Sequence, residues 1–294
     1  MTFLTRAQAL PMLGIGVSTE YGAGASRGAL DVHALRAARP DVAGFLELGV
    51  EVDKGLDDDA RRWVAAGLPT TYHFLDVNLD EPEDLDDAWL DAVRALIAAT
   101  RPAWLCGDAG LWHHGPRERG HMLLLPPVLT AEAADAMAVG IARLRAETGL
   151  EVLPENPPGQ LFVGDLHLLD FYARLADRAD TGLLLDAAHL GIYQQMTGHS
   201  PLTGLDGFPC DRVVEIHVAG GTPRDHDGLA WVEDDHTTDV TDATWAILEH
   251  VVPRAPNLKA VVFECERNPL DRVVPAMDGL AARLRAAGWA GVAA

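Results

Sequence analysis

The fold predicted by this 294-residue chain is a single-domain (β/α)8 barrel spanning residues 1–294. Three observations carry the expectation. Eight short runs rich in Val, Leu and Ile recur along the chain, each of strand length. Segments with the apolar spacing of an amphipathic helix lie between most of them, and such alternation favours a parallel sheet closed on itself. The structural competitor, a doubly wound open sheet, would carry a glycine-rich phosphate turn, and "GIGVSTEYGAG" does not match GxGxxG. No domain boundary, internal repeat or low-complexity linker interrupts the alternation.

The elements follow in order. MLGIGVS (12–18) is the first strand and 28–38 a short helix; GFLELGVEV (44–52) and the helix 57–67 come next. TTYHFLDV (70–77) leads to the helix 84–100, with Asp84 in a position to cap it. AWLCGDAG (103–110) is followed by a long connection and the helix 130–148, which starts on Thr130 and stops at Gly149. LEVLPEN (150–156) precedes the helix 163–179, and GLLLDAAH (182–189) precedes residues 190–211, expected to be mostly loop with one short helix. RVVEIHVAG (212–220) runs into an acidic loop, after which Thr241 and Asp242 cap a helix containing Trp245. LKAVVFECE (258–266) is the last strand, and the helix 268–287 stops at Gly288. Continuous apolar runs of this length suit strands covered on both faces.

Composition excludes several partners. The net charge is −21, with lysine only at positions 54 and 259, so the surface repels phosphate backbones and anionic bilayers. Neither nucleic acid nor membrane is expected as a partner. Cys106, Cys210 and Cys265 are far apart and form no CxxC pair, which argues against a disulfide framework or a zinc ribbon. The N-terminus lacks a signal pattern and no apolar stretch reaches membrane-spanning length, so a cytoplasmic location is expected.

The placement of polar residues carries the functional reading. Active sites of parallel barrels lie at the carboxyl ends of the strands. Metal-capable residues fall there on seven predicted strands: Glu51, His73, Asp108, Glu155 with Asn156, Asp186 and His189, His217, and Glu264 with Glu266. One such residue is an ordinary structural group. Seven strands together imply convergence on one cavity, where mutually repelling carboxylates are most easily held by cations. Mixed imidazole and carboxylate donors suit iron, manganese or zinc, and more than four candidates imply two or more ions. By contrast, His33, His167 and His250 fall in predicted helices and read as packing or surface residues. His113, His114, His121, His199 and His226 sit in loops, and a pocket role is open for each. Cys265 points away from Glu264 and Glu266 by strand alternation and reads as packing.

Several motifs are specific enough to indicate a family. "LPENPPGQLF", "LLLDAAHLGIYQQMTGHSP", "DRVVEIHVAGG", "VEDDHTTDVTDATWAIL" and "VVFECERN" resemble motifs of the DUF692 proteins, the multinuclear non-haem iron-dependent oxidative enzymes. "TYHFLDVNL" and "MLLLPPVLT" extend the resemblance upstream, so that it spans roughly residues 12–270. It implies a barrel holding two or three Fe ions, O2 as co-substrate, and a ribosomally made peptide as substrate, often modified at cysteine with a separate peptide-binding partner protein. The ligands it implies are His73, Glu155, Asn156, His217, Asp234, His236 and Glu264, with Asp108 and Asp186 as ligands or supporting groups. Asp234 and His236, two apart on an extended loop, face the cavity together while Asp235 points away, and either could also transfer protons. The chain departs from the family pattern in three places. Ala109 replaces a histidine in "GDAGLW", "AAH" introduces His189 after Asp186, and the histidine after strand one is absent. These departures imply one altered or lost metal site. Two rival readings remain: a non-redox divalent-metal barrel of the sugar isomerase or endonuclease type, and a non-catalytic metal- or peptide-binding protein.

Overall fold

The computed structural model describes residues 1–20, 30–117 and 123–292. Eight parallel strands form the barrel: β1 (Gly14–Glu20), β2 (Phe45–Val50), β3 (Thr70–Phe74), β4 (Leu105–Asp108), β5 (Val152–Glu155), β6 (Leu183–Asp186), β7 (Val213–His226) and β9 (Ala260–Glu264). They pair in the order β6-β5-β4-β3-β2-β1-β9-β7, and a β6–β7 ladder closes the ring. Strand β8 (Leu229–Thr237) lies outside the ring, antiparallel to the outer half of β7.

Helices α2 (Val32–Ala38), α3 (Asp58–Ala65), α4 (Asp87–Thr100), α5 (Ala131–Thr148), α6 (Leu168–Ala179), α7 (Ala187–Met196), α8 (Asp242–Val251) and α9 (Leu270–Ala286) follow the strands in turn. One hydrophobic layer fills the space between strands and helices. A second cluster, with Phe45, Trp104, Leu153, Leu184, Val214 and Val262, packs with Phe3 and Ala7 of the short helix α1 (Phe3–Ala7). Among the described residues no helix is long and apolar enough to cross a membrane.

Local chemistry explains most boundaries. Thr130 Oγ1 accepts from the Ala133 N–H, and Gly149 ends α5 in the left-handed conformation. Thr241 caps α8 through the Thr244 N–H, as expected. Three expectations need correction. Asp84 does not cap α4; Asp86 does, through the Trp89 N–H, while Asp84 is buried and accepts from the Asn78 N–H at 2.8 Å. Residues 187–196 form a full helix growing straight out of β6, capped by Asp186. Residues 187–194 are all buried, so no one-sided stripe announced the helix. The acidic loop after strand seven is a β-hairpin. Its two turn residues, Asp227 (φ 52°) and Gly228 (φ 84°), both adopt positive φ, the geometry that matches the twist of a tight hairpin.

Candidate metal centre

Four strands bring a terminal acid to one cluster. Asp108 closes β4, Glu155 β5, Asp186 β6 and Glu264 β9, and register sets Asp108 beside Glu155 and Asp186 beside His217. His73 enters from β3 and His217 from β7, with their rings stacked at 5.9 Å. The first turn of α7 contributes His189, and β8 brings Asp234 and His236 over the same end of the barrel. A cavity of about 250 Å³ is lined by His73, Asp108, His189, Asp234, His236 and Glu264, with Glu155, Asp186 and His217 buried beside them.

Glu155 is the hub. Its Oε2 lies 2.8 Å from His73 Nε2, and its Oε1 lies 3.2 Å from His217 Nδ1 and 3.5 Å from His189 Nδ1. Glu264 Oε1 comes within 3.4 Å of His217 Nδ1. Sets of three donors lie within 4.8 Å of one another in several combinations: His73–Asp108–Glu155, Glu155–Asp186–His217, and His189–Asp234–His236. Glu155 belongs to the first two. Four donors suffice for one tetrahedral ion, so this density of ligands fits more than one.

The hydrogen-bond pattern tests whether these residues fit a cation. His189 Nδ1 lies 2.9 Å from the Asn156 carbonyl, which can only accept, so Nδ1 carries the proton and Nε2 is left to face Asp234 Oδ2 at 3.1 Å. His236 Nδ1 donates to Glu266 Oε1 at 2.7 Å, and its Nε2 faces Asp234 at 3.6 Å and Glu264 at 3.8 Å. In neutral rings both Nε2 atoms point lone pairs at carboxylate oxygens. Only a proton or a metal ion between them removes the repulsion. Buried atoms without a hydrogen-bond partner include Asp108 Oδ1, Glu155 Oε1, Asp186 Oδ2, both ring nitrogens of His217, Asp234 Oδ1 and Glu264 Oε2. Orphaned polar atoms at this density are costly in an ordinary core. The donor set fits metal ions.

Electrostatics give the same picture from the metal-free side. Burial pushes the His73 imidazole down, but Glu155 and Glu47 outweigh it and carry it up to about 9. Burial and Glu155 push Asp108 up to about 8, against the pull of His189. Burial also raises Asp186, and it opposes but does not prevent the raising of His189, His217 and His236 by neighbouring carboxylates. The cluster gathers protons to balance its negative charge, as a cation would. His236 sits at φ 51°, an uncommon backbone conformation for a residue other than glycine, at the point where β8 delivers it.

Most of the residues expected here are brought together: His73, Asp108, Glu155, Asp186, His189, His217, Asp234, His236 and Glu264. Asn156 differs. Its side-chain oxygen accepts from the Asp186 N–H at 3.0 Å and its amide donates to the Asp186 carbonyl at 2.9 Å, so it clasps β5 to β6. Glu51 is corrected outright. It lies past the end of β2 and pairs with Lys54, while Glu47, two layers deeper on the same strand face, meets His217 Nε2 at 3.1 Å. Attention to strand ends missed Glu47; strand alternation, which puts residues 47, 49 and 51 on one side, is the signal that finds it. Asp235 points away and accepts from Thr222 Oγ1.

The remaining histidines lie elsewhere. His113 is buried against Asp84 at 2.7 Å, His167 caps α6, and His226 is exposed at the hairpin turn. His33 bonds the Asp59 carbonyl, His250 packs in α8, and His114 and His199 are exposed. His121 lies outside the described residues. Cys265 is buried in the hydrophobic layer, as alternation predicts.

Comparison with known proteins adds three findings. The profile of the RiPP precursor modification enzymes MbnB/TglH/ChrH matches residues 28–288. A UPF0276 protein of Caulobacter vibrioides is 30% identical over 195 residues, covering 65% of this chain and 68% of the relative. A UPF0276 protein of Anaeromyxobacter sp. is 25% identical over 214 residues, 72% of this chain and 74% of the relative. Among solved structures, a xylose isomerase-like TIM barrel protein from Mycobacterium smegmatis, in complex with magnesium, superposes with a TM-score of 0.60. It is 11% identical, with 98% of this chain and 99% of that one covered. Endonuclease IV from Thermus thermophilus superposes with a TM-score of 0.52, with 14% identity and with 93% of this chain and 99% of that one covered. At such identities these structures show the shared barrel alone.

Proposed function

The chain belongs to the family of RiPP precursor modification enzymes MbnB/TglH/ChrH, and from that premise we propose that it is an iron-dependent oxidative enzyme. In this reading it holds two or more irons in the strand-end cluster, uses dioxygen, and modifies a ribosomally made peptide at cysteine, with a separate protein helping to present the peptide. The observation that carries it is the convergence of nine His, Asp and Glu donors on one cavity, with Glu155 common to two ligand groups.

Bound iron supplies the one-electron chemistry with dioxygen that amino-acid side chains lack. The chain's own residues do the rest. His73, Asp108 and Glu155 hold one position; Asp186, His217 and Glu264 meet it through Glu155. His189, Asp234 and His236 hold another, with His189 standing in a region where the family pattern has different residues. Glu266 and the Asn156 carbonyl fix the tautomers of His236 and His189, keeping Nε2 of both directed at the cavity. Leu75, Trp112 and Leu124 give the cavity apolar lining that keeps water from a bound substrate. In this reading Asp234, which faces the imidazoles of His189 and His236, or His236 itself takes and returns the proton.

Metal analysis of protein purified without oxygen tests the reading. About two or more irons per chain, with oxygen consumed when a peptide substrate is added, is the expected result. A single zinc or manganese with no oxygen-dependent turnover overturns it and favours the non-redox barrel chemistry instead.

A further inference from the structure

Beneath the strand-end cluster the barrel interior carries a second tier of donors. Cys106 precedes Asp108 by two residues on β4, and Glu215 precedes His217 by two on β7, so both face inward one level deeper. Glu47 of β2 meets them there: one donor atom from each of Glu47, Cys106 and Glu215 lies within 4.8 Å of the other two. Glu47 is 1% exposed, and Cys106 and Glu215 are fully buried. Bulky apolar residues ordinarily fill such levels of a barrel, and Phe45, Leu153, Leu184 and Val262 pack with Cys106 on that pattern. Two acids in the same space need a reason.

Hydrogen bonds satisfy the tier only in part. Cys106 Sγ donates to Glu47 Oε2 at 3.1 Å, and Trp104 Nε1 donates to Glu215 Oε2 at 2.7 Å. Glu215 Oε1 has no hydrogen-bond partner. Neither has His217 Nε2, which stands 3.1 Å from Glu47 Oε1 but off the line of a hydrogen bond. Unpartnered polar atoms on two fully buried residues are costly without a cation between the donors. Imidazole and carboxylate make up the centre above; here a thiol joins them. A thiolate favours zinc-class ions over the hard cations that carboxylates alone would hold. Zinc bonds of about 2.0–2.3 Å to oxygen and sulfur gather donors from spacings of this order. Glu47 also lines the cavity, which gives an ion a way in, with Cys106 and Glu215 behind it. We propose that Glu47, Cys106 and Glu215 form a separate, thiolate-bearing site for a divalent ion of the zinc class. The thiol proton, held toward Glu47 in the metal-free protein, leaves as the ion binds. This inference depends on neither iron nor dioxygen in the centre above.

The test titrates Co²⁺ into metal-free, full-length protein under argon. The near-ultraviolet sulfur-to-cobalt band reports the thiolate, and the visible ligand-field bands report the ions held by imidazole and carboxylate. Wild type is expected to develop the sulfur band, and excess Zn²⁺ to remove it. Cys106→Ser abolishes the band and lowers bound cobalt by about one equivalent, while the visible bands remain; Cys265→Ser changes neither. Glu215→Gln, still able to accept from Trp104, weakens the cobalt that gives the band by about tenfold or more. Should Cys106→Ser fail to fold, zinc-edge X-ray absorption of the wild type decides, with a sulfur neighbour expected at about 2.3 Å. No sulfur band and no sulfur neighbour in saturated wild type, or a band that persists in Cys106→Ser, overturns the proposal. A sulfur band in a protein that neither retains iron nor consumes oxygen strikes the oxidative reading and leaves this site standing.

Discussion

Replacing Glu155 by glutamine probes the centre of the site at constant size. The carboxylate is 1% exposed and lies 2.8 Å from His73 and 3.2 Å from His217. Burial pushes its pKa up, but His217 and His73 outweigh burial and hold it well below the usual carboxylate range. It is therefore the negative partner of two imidazoles in the metal-free protein. Removing one partner of a buried ion pair costs about 3–5 kcal/mol, and the lower end applies because His73 and His217 can shed protons instead of remaining charged and unpaired. At about 2–4 °C per kcal/mol for a chain of this size, a loss of about 3 kcal/mol lowers the Tm of the metal-free variant by about 6–12 °C. The second consequence concerns metal. Two ligand groups share Glu155, so the variant is expected to lose at least one equivalent of iron and much of the thermal stabilisation that iron confers on the wild type. Thermal unfolding with and without chelator, alongside metal analysis of the same preparations, measures both. Full iron content with a Tm within about 2 °C of wild type would show that Glu155 is neither a hub of charge nor a shared ligand.

Other outcomes follow from the same geometry. His73 is raised from 6.5 to about 9 and Asp108 from 3.8 to about 8, so both shed protons when metal binds; affinity rises with pH, and titrating iron into weakly buffered apo-protein at pH 7 acidifies the solution. The stability His73 lends the metal-free fold runs the opposite way. It is fully present below about 6.5 and is lost as pH rises through about 9, which denaturant titrations at pH 6 and pH 9 will register. Asp234→Ala is expected to lower metal content while Asp235→Ala, whose carboxylate meets Thr222 on the far face of β8, leaves it unchanged; equal losses in metal analysis refute the assigned facing. Gly220→Ala puts a Cβ within 2.5 Å of the Thr237 carbonyl and 2.7 Å of the Asp239 backbone. It should destabilise the fold by about 1–3 kcal/mol in urea and reduce metal content by displacing β8; wild-type stability and metal content together would contradict that.

Much of this architecture is legible in the residues themselves. Fully buried parallel strands announce themselves as apolar runs, and a charged residue closing such a run has few structural reasons to be there. That reasoning finds His73, Asp108, Glu155, Asp186 and Glu264. It fails at Glu47 because alternation along β2 and just past its end offers two acids on one side, Glu47 and Glu51, and the strand's tilt, which local sequence does not reveal, decides which one reaches the level of His217. Asn156 shows what sequence position leaves out: next to Glu155 it reads as one more donor, and only the structure shows its amide bonded to both backbone groups of Asp186 across the β5–β6 seam. Helix α7 eluded periodicity because its residues 187–194 are buried on every side. The hairpin was within reach, since Asp227–Gly228 is a strong turn signal, but the acidic run that follows it reads first as a solvated loop.

That hairpin divides the site by origin. Seven of the nine donors issue from the closed ring or from the helix rooted in it, whereas Asp234 and His236 ride on a strand that, among the described strands, pairs with β7 alone. The ring donors are bound to the framework: moving one means disturbing eight strands. The other two are grafted on, and a graft can be exchanged. A chain that kept the ring and replaced residues 220–237 would retain the Glu155-centred half while presenting new chemistry across from it. For an architecture of this kind, diversification of reactivity costs a hairpin and leaves the barrel intact.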